Sequence, residues 1–323
     1  MPSPRCVSED GFVDAAMNNG GMCRIFPVVL IGLITFAPVV RAAEPLPDRI
    51  AGLTKGFKGT VVLYAKNLRT GQEVGVAPDT RVRTASTIKL PILCALESLV
   101  AAGRVKWDER IVLKPEDKVS GSGVLASLAD HTELTVRNLA ILMIILSDNT
   151  ATNLILDRIG ADAVNDYLDT IGLVKTRANR KVRGDGTKLA APSGWSKAGL
   201  IEDNKRFGLG VSTPREMVRL LELLDEGKIV SPDASKDILE ILKMQQDNSG
   251  IRRHTPDDIP VANKSGALDA LRSDVGIVYT KSGPVALAIT IDDMPEIDYS
   301  RDNPGERLIW QLTSAILDGL STR

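Results

Sequence analysis

Apolar and polar residues alternate in two separate stretches of the chain, and this alternation predicts β-strands. The stretch GTVVLYAKNLRTGQEVGV, residues 59–76, contains two such runs about an Arg-Thr-Gly turn, which predicts a β-hairpin. The stretch SDVGIVYTKSGPVALAITI, residues 273–291, predicts two more strands about a Gly-Pro turn. The final stretch, ERLIWQLTSAILDGL at residues 306–320, instead spaces its apolar residues along one face of a helix.

The middle of the chain has the helical pattern. Helices are predicted over residues 85–102, 135–146, 150–159 and 214–224. The run LAILMIIL, residues 139–146, is apolar on every side, so we expect its helix to be central and buried. A membrane span would need a much longer apolar run.

This order of elements predicts an α+β fold, in which an antiparallel sheet from both ends of the chain is flanked by helices. Residues 44–83 and 212–323 would form this discontinuous sheet lobe. Residues 84–211 would form an all-α lobe inserted between its two parts.

The N-terminal region is interpreted separately. The run IFPVVLIGLITFAPVV, residues 25–40, is uncharged, follows an arginine and precedes RAAEP, which is typical of a signal peptide. We expect cleavage after Ala42 or Ala43 and export to the periplasm or the medium, and we leave residues 1–43 outside the fold. The alternative is a membrane anchor, but the run is shorter than the ~20 residues that cross a bilayer.

Composition excludes several classes of function. The 40 Lys and Arg residues balance the 41 Asp and Glu residues, so no global positive field favours nucleic acid. The only histidines, His131 and His254, have no obvious carboxylate to orient them and no metal-ligand spacing, which argues against a Ser-His-Asp triad and a zinc site. Cys94 is alone after the export segment and is expected to be a buried small hydrophobe. No cofactor is indicated.

A candidate nucleophile lies in TASTIKLPILCALESLVAAG, residues 84–103, where Lys89 follows Ser86 by three positions. A serine hydroxyl needs a base, and a lysine can act as one when burial or nearby positive charge removes its proton. The start of a helix would also stabilise an oxyanion. Pro91 breaks the helical pattern, which is a type of exception expected near functional sites.

Two further elements accompany this pair. LSDNTATNL supplies the triplet Ser147 to Asn149 directly after the buried helix, and ANKSGALDA supplies the triplet Lys264 to Gly266 on a predicted strand. The ordered set SxxK, SDN and KSG resembles the class A β-lactamases and penicillin-binding serine transferases. The resemblance covers residues 50–320 and implies the β-lactamase/transpeptidase-like form of the α+β fold.

The resemblance implies a role for each motif residue. Ser86 would attack a carbonyl, and Lys89 would take part in its activation. Ser147 would relay a proton to the leaving nitrogen, and Asn149 would hold Lys89 and the side-chain amide of the substrate. The backbone N–H groups of Ser86 and Ala267 would form the oxyanion hole.

The KSG element would bind the substrate, with Lys264 and Ser265 on its carboxylate and Gly266 beside them. Arg272 would add to this cationic floor, or it is a solvated charge at the end of a strand. A second KSG at residues 281–283 falls in a predicted turn and is interpreted as ordinary turn chemistry. The expected partner is a small β-lactam or a D-Ala-D-Ala-like peptide, bound by a monomer.

The chain departs from the family at one position. TRANR, residues 176–180, matches the family's TRxxR pattern and places Val182 where a class A β-lactamase has the glutamate that activates the deacylating water. Asp185, Glu202 or Asp203 would have to replace it, unless each is a solvated loop charge.

Three functions therefore stay open. The first is β-lactam hydrolysis, which we favour because the resemblance spans both lobes and a compact helical lobe leaves little room for a polymer. The second is a D,D-peptidase or esterase that acts on cell-wall peptides. The third is a β-lactam or muropeptide sensor whose acyl adduct persists.

Overall fold

The computed structural model describes residues 44–184 and 194–320, whose main sheet has five antiparallel strands. The strands along the chain are β1 (Thr60–Asn67), β2 (Glu73–Val76), β3 (Val82–Arg83), β4 (Arg110–Val112), β5 (Glu133–Thr135), β6 (Arg177–Ala178), β7 (Gly210–Ser212), β8 (Val261–Leu268), β9 (Leu271–Thr280) and β10 (Gly283–Asp292). The helices are α1 (Leu46–Thr54), α2 (Lys89–Ala101), α3 (Val136–Ile145), α4 (Asn149–Ile159), α5 (Ala161–Thr170), α6 (Lys197–Leu200), α7 (Glu202–Lys205), α8 (Pro214–Asp225), α9 (Pro232–Lys243) and α10 (Pro304–Leu320).

The main sheet has the strand order β2-β1-β10-β9-β8, so strands from both ends of the described chain meet in it. The predicted hairpins are confirmed as β1 with β2 and β9 with β10. The second KSG lies at the turn between β9 and β10, as expected for turn chemistry. Because β8 is an edge strand, one row of its backbone groups is not used by the sheet.

Alternate positions of β10 face the two sides of the sheet. Val285, Leu287 and Ile289 pack in the apolar cluster that contains the core residues of α10. Ala286 and Ala288 point to the other side, into the cluster that contains the core residues of α8. The period of two therefore buries both faces of this strand, and the predicted α+β arrangement of a sheet flanked by helices is confirmed.

Helices α3, α4 and α8 agree with the predicted positions to within one residue, whereas α2 begins four residues later than predicted, and α5, α6, α7 and α9 were not predicted. Thr135 and Thr213 accept hydrogen bonds as N-caps of α3 and α8. The LAILMIIL run is only partly as expected, since four of its eight residues are buried and four are half-buried. One face of α3 reaches the core and the opposite face lies nearer the surface.

Pro91 is not the exception that the sequence suggested. A 3-10 turn, Ala85–Ile88, precedes α2, which begins at Lys89. Pro91 therefore lies in the first turn of α2, where a backbone N–H has no partner within the helix. The helix begins later than predicted, and this removes the conflict.

The residues from Glu44 onward cluster as one compact unit. The division into lobes at residues 83/84 and 211/212 stays a prediction. The expected signal peptide and its cleavage sites at Ala42 and Ala43 lie outside the described residues. No helix in the described part of the chain is long and apolar enough to cross a bilayer.

Candidate active site

Ser86 lies in the 3-10 turn immediately before α2. This turn begins at Ala85 with a φ of +47°, a left-handed conformation that is uncommon for a residue with a Cβ atom. Gly266 of β8 packs against the turn, and a Cβ at this position would lie 3.0 Å from both Ser86 N and the Thr84 carbonyl oxygen. The glycine of the KSG element therefore lets β8 approach the serine.

Lys89 is completely buried, with 0% of its surface exposed. Its Nζ donates to the Ser147 carbonyl oxygen at 2.6 Å, to Ser147 Oγ at 3.1 Å and to Asn149 Oδ1 at 3.0 Å. These partners are neutral, and no described carboxylate forms an ion pair with this lysine. Burial lowers the pKa of Lys89 well below its usual range, the charge of Lys264 lowers it further, and Asp148 opposes both effects. Its amine is therefore neutral at a lower pH than an exposed lysine.

The predicted pair of Ser86 and Lys89 is joined through the backbone. The Lys89 N–H donates to the Ser86 carbonyl oxygen, but no hydrogen bond between Ser86 Oγ and Lys89 Nζ occurs among the described residues. The SDN element holds the amine, while Ser86 lines the cleft.

The SDN element follows α3 in a strained connection. Ser147 has a φ of +53°, again in the left-handed region. Asn149 begins α4, and its Nδ2 donates to the Ser120 carbonyl oxygen at 3.0 Å. A Cβ on Gly121 would lie 2.7 Å from that same nitrogen, so only glycine fits there. Asn149 thus links Lys89 to the loop at the edge of the cleft.

Asp148 has a role that the sequence analysis did not assign. Its Oδ1 accepts from Ala151 N as the N-cap of α4. Its Oδ2 accepts from Val124 N at 2.6 Å and Leu125 N at 2.9 Å. A Cβ on Gly123 would collide with this carboxylate at 2.2 Å. The Ser-Gly-Ser-Gly run of residues 120–123 is typical of a tight loop, and it is the sequence signal that could have indicated this contact.

The KSG element presents a second buried amine. Lys264 is 0% exposed, and its Nζ donates to the Ser265 carbonyl oxygen at 2.7 Å. Burial lowers the pKa of Lys264 to about 8, while the charges of Asp247 and Asp274 oppose this shift. Ser265 Oγ donates to Asp247 Oδ2 at 2.7 Å.

These elements meet at one cleft of about 550 Å³. The predicted site residues that line it are Ser86, Ser147, Asn149, Ser265, Gly266 and Ala267. Lys89 and Lys264 contact lining residues from the buried side. Groups from the 3-10 turn, the start of α4 and the edge strand β8 are thus brought together, although they are far apart in sequence.

Val182 also lines this cleft. Its backbone is fixed by Asn153, whose side chain accepts from Val182 N at 2.8 Å and donates to the Val182 carbonyl oxygen at 2.9 Å. Glu202 and Asp203 lie on α7, are exposed and do not line the cleft. Asp185, the third candidate for the missing glutamate, lies outside the described residues.

Two carboxylates that the sequence analysis missed do line the cleft. Asp247 comes from the polar loop after α9, and Glu306 comes from the first turn of α10. Burial raises the pKa of Glu306 to about 7, the charges of Asp274 and Asp247 add to this shift, and Arg272 opposes it. No motif marks either residue, since a loop and a distant helix carry them to the site.

Arg272 is 2% exposed, so the alternative of a solvated charge at a strand end is wrong. Its guanidinium donates to the carbonyl oxygens of Leu268, Leu271 and Asp298. It also lies 3.5 Å from Glu306 Oε1. Arg272 is not among the residues that line the cleft, and its part in binding a substrate carboxylate stays a prediction.

The remaining sequence candidates lie elsewhere. A second cavity of about 620 Å³, lined in part by His254, Trp310 and Asp258, contains none of the motif residues. His131 is exposed in a turn with a φ of +65°. Cys94 is completely buried, as predicted, and burial raises the pKa of its thiol.

The chain is similar in sequence and fold to known β-lactamases and to PBP-A. The chain is 27% identical over 282 residues to a β-lactamase from Bacillus licheniformis, which covers 85% of this chain and 84% of the relative. The crystal structure of a β-lactamase from Sphaerobacter thermophilus DSM 20745 is 32% identical with a TM-score of 0.73, and covers 85% of this chain and 96% of that one. The structure of PBP-A is 27% identical with a TM-score of 0.69, and covers 84% and 94% of the two chains.

The family comparison covers nearly all of the described residues. Residues 45–320 match the model of the beta-lactamase enzyme family. The fold is that of the β-lactamase structures, with an antiparallel sheet flanked by helices. The chain therefore belongs to the beta-lactamase enzyme family.

Proposed function

We propose that this chain forms an acyl-enzyme on Ser86 and opens the ring of a β-lactam. The observation that carries the proposal is the state of Lys89, which is completely buried, held by neutral acceptors and lowered in pKa. A buried lysine that stays charged ordinarily has an acid partner. A buried lysine beside a serine that lines a cleft is a candidate base.

Acylation then proceeds with every proton accounted for. The neutral Lys89 amine accepts the hydroxyl proton of Ser86, and Ser86 Oγ forms a bond to the carbonyl carbon of the lactam. The charge that develops on the carbonyl oxygen is stabilised by the backbone N–H groups of Ser86 and Ala267. The edge position of β8 supports this role, because its free backbone groups are not committed to a neighbouring strand.

Collapse of this intermediate breaks the bond between the carbonyl carbon and the ring nitrogen. The leaving nitrogen needs a proton, and Ser147 Oγ supplies it while it takes the proton held by Lys89. The 3.1 Å contact between Lys89 Nζ and Ser147 Oγ supports this relay. Asn149 contributes by holding the amine and by binding the side-chain amide of the substrate.

Deacylation is the weaker half of the cycle. Val182 cannot activate water, and Glu202 and Asp203 lie outside the cleft. We infer slow turnover, in which the acyl-enzyme accumulates before water removes it.

The valine at position 182 also favours a second candidate, a D,D-peptidase or esterase that acts on cell-wall peptides. Both candidates would work outside the cytoplasm, as the predicted signal peptide requires.

The test uses the purified chain and a chromogenic cephalosporin in excess. The proposal predicts a burst of one equivalent, followed by slow steady hydrolysis, and neither phase in Ser86→Ala. Release of D-alanine from a Lys-D-Ala-D-Ala peptide at a higher rate would favour the peptidase. An adduct that never turns over would favour the sensor, and the absence of any burst would overturn acylation on Ser86.

A further inference from the structure

Asp247 accepts the hydrogen bond that Ser265 was expected to donate to a substrate carboxylate. Its Oδ2 accepts the hydroxyl proton of Ser265 at 2.7 Å. Its Oδ1 accepts from Ser249 N at 3.0 Å and Ser249 Oγ at 2.6 Å. Both carboxylate oxygens are therefore held, and the side chain is fixed against the KSG element.

The charge of this carboxylate is also stabilised. Burial in the cleft would by itself raise the pKa of Asp247, but hydrogen bonds from Ser249 and Ser265 and the charge of Lys264 together hold it below its usual value. Asp247 is therefore an anion at neutral pH.

The two cations that were expected beneath a substrate carboxylate, Lys264 and Arg272, each have an acid nearby. Lys264 is within electrostatic reach of Asp247 and of the buried Asp274. Glu306 lines the same cleft and lies 3.5 Å from Arg272, and because its pKa is raised to about 7 it balances that arginine only in part at neutral pH. An incoming carboxylate would thus meet Asp247 beside Lys264 and Glu306 beside Arg272, while Arg83, Arg180, Arg183 and Arg206 also line the cleft.

A serine hydroxyl has only one proton to donate. Ser265 can hydrogen-bond to Asp247 or to a substrate carboxylate, but not to both through that proton. Two carboxylates that are close enough to share one hydrogen-bond donor also repel each other.

We propose that Asp247 is a specificity-determining residue, which disfavours substrates with a carboxylate beside the scissile bond and favours those with an uncharged ester or amide there. This inference rests on the proposed function, because it takes acylation of Ser86 as given. An uncharged group can lie beside Asp247 without displacing it, and an amide N–H can donate to its free lone pairs. The site thus prefers a different acyl donor from the one that its KSG motif suggests.

The experiment measures the second-order rate of acylation by a penicillin and by its methyl ester, using intact-protein mass spectrometry. Removing the charge in Asp247→Asn should raise the rate for the free acid about tenfold, which corresponds to about one pKa unit of repulsion between the two carboxylates. The rate for the methyl ester should change less than about twofold, since the ester carries no charge for Asp247 to repel. Asp258→Asn, which removes a charge from the second cavity, should leave both rates unchanged.

The ester reaction also reports folding, because only a folded site acylates. If Asp247→Asn loses the ester reaction, Asp247→Ser is the second variant and should show the same rise in the acid-to-ester ratio. An unchanged ratio, or a fall for the free acid, would overturn the inference and leave Asp247 as a residue that orients Ser265. If neither the penicillin nor its methyl ester acylates the unmodified protein or Asp247→Asn, the proposed function is overturned and this inference with it.

Discussion

The Nζ atom of Lys89 lies 3.0 Å from Asn149 Oδ1, and this contact joins the first turn of one buried helix to the first turn of another. An amide oxygen can hold an amine without fixing its charge, whereas a carboxylate would keep it protonated. The contact therefore positions Lys89 and leaves its proton removable. This combination is what general base catalysis requires.

Lys89→Ala should abolish covalent labelling by penicillin and leave the fold intact. General base catalysis contributes about 10²–10⁴-fold, so the acylation rate should fall by at least that factor. Lys89→Arg is the matched control for charge, because a guanidinium stays protonated, and it should be equally inactive. Unchanged labelling kinetics in either variant would contradict the role of the lysine. Circular dichroism checks the fold.

The pH dependence of acylation should follow the protonation of Lys89. Because its pKa is lowered, the neutral amine persists well below pH 10.5, and the rate should fall when acid returns the proton. The charge of Lys264 is the second cause of this lowering. Lys264→Gln should therefore raise the pKa of Lys89 and move the acid limb of the profile to higher pH. A limb that stays in place or moves to lower pH would refute the coupling of the two amines.

Gly266→Ala should damage both stability and acylation. The new Cβ would lie 3.0 Å from Ser86 N and from the Thr84 carbonyl oxygen, and neither backbone atom can rotate away. Overpacking of this kind costs about 1–3 kcal/mol in the free energy of unfolding.

Gly52→Ala is the control, because its Cβ meets nothing within 4 Å and the position lies inside α1. It should stabilise the protein by up to about 1 kcal/mol. Urea unfolding measures the free energy of unfolding of both variants. Equal changes in that free energy would contradict the close approach of β8 to the turn that carries Ser86.

Val182→Glu should accelerate deacylation. Asn153 fixes the backbone of Val182 and the position lines the cleft, so the substitution adds a carboxylate without moving the chain. A positioned base contributes about 10²–10⁴-fold, and even an imperfect one should raise the steady rate after the burst by at least about tenfold. Val182→Gln has nearly the same shape without the charge and should stay slow. If Val182→Glu leaves the steady rate unchanged, the deacylation step does not depend on this position.

The sequence predicts the sheet well because each strand carries its own signal. The two hairpins are read from local alternation and turn residues, and neither needs knowledge of distant contacts. The motif triplets are likewise local, and their order is enough to indicate the family. Burial of Cys94 follows from the apolar residues around it.

Other features of the site depend on contacts that no local pattern records. Ala85 and Ser147 adopt a left-handed backbone conformation that residues with a Cβ atom ordinarily avoid, and no local sequence pattern predicts it. Asp247 and Glu306 reach the cleft from a loop and from a distant helix. No regular sequence spacing therefore connects them to the motifs. Arg272 was expected either to add to the cationic floor or to be solvated, and hydrogen bonds to the carbonyl oxygens of Leu268 and Asp298 bury it, which excludes only the second alternative.

The most direct test of the account is the site of covalent labelling. The intact protein is treated with benzylpenicillin, digested, and mapped by mass spectrometry beside Lys89→Ala and Ser86→Ala. We expect one adduct per chain in the unmodified protein, on the peptide that contains Ser86, and none in either variant. An adduct on another residue, or labelling that survives the loss of Lys89, would contradict it.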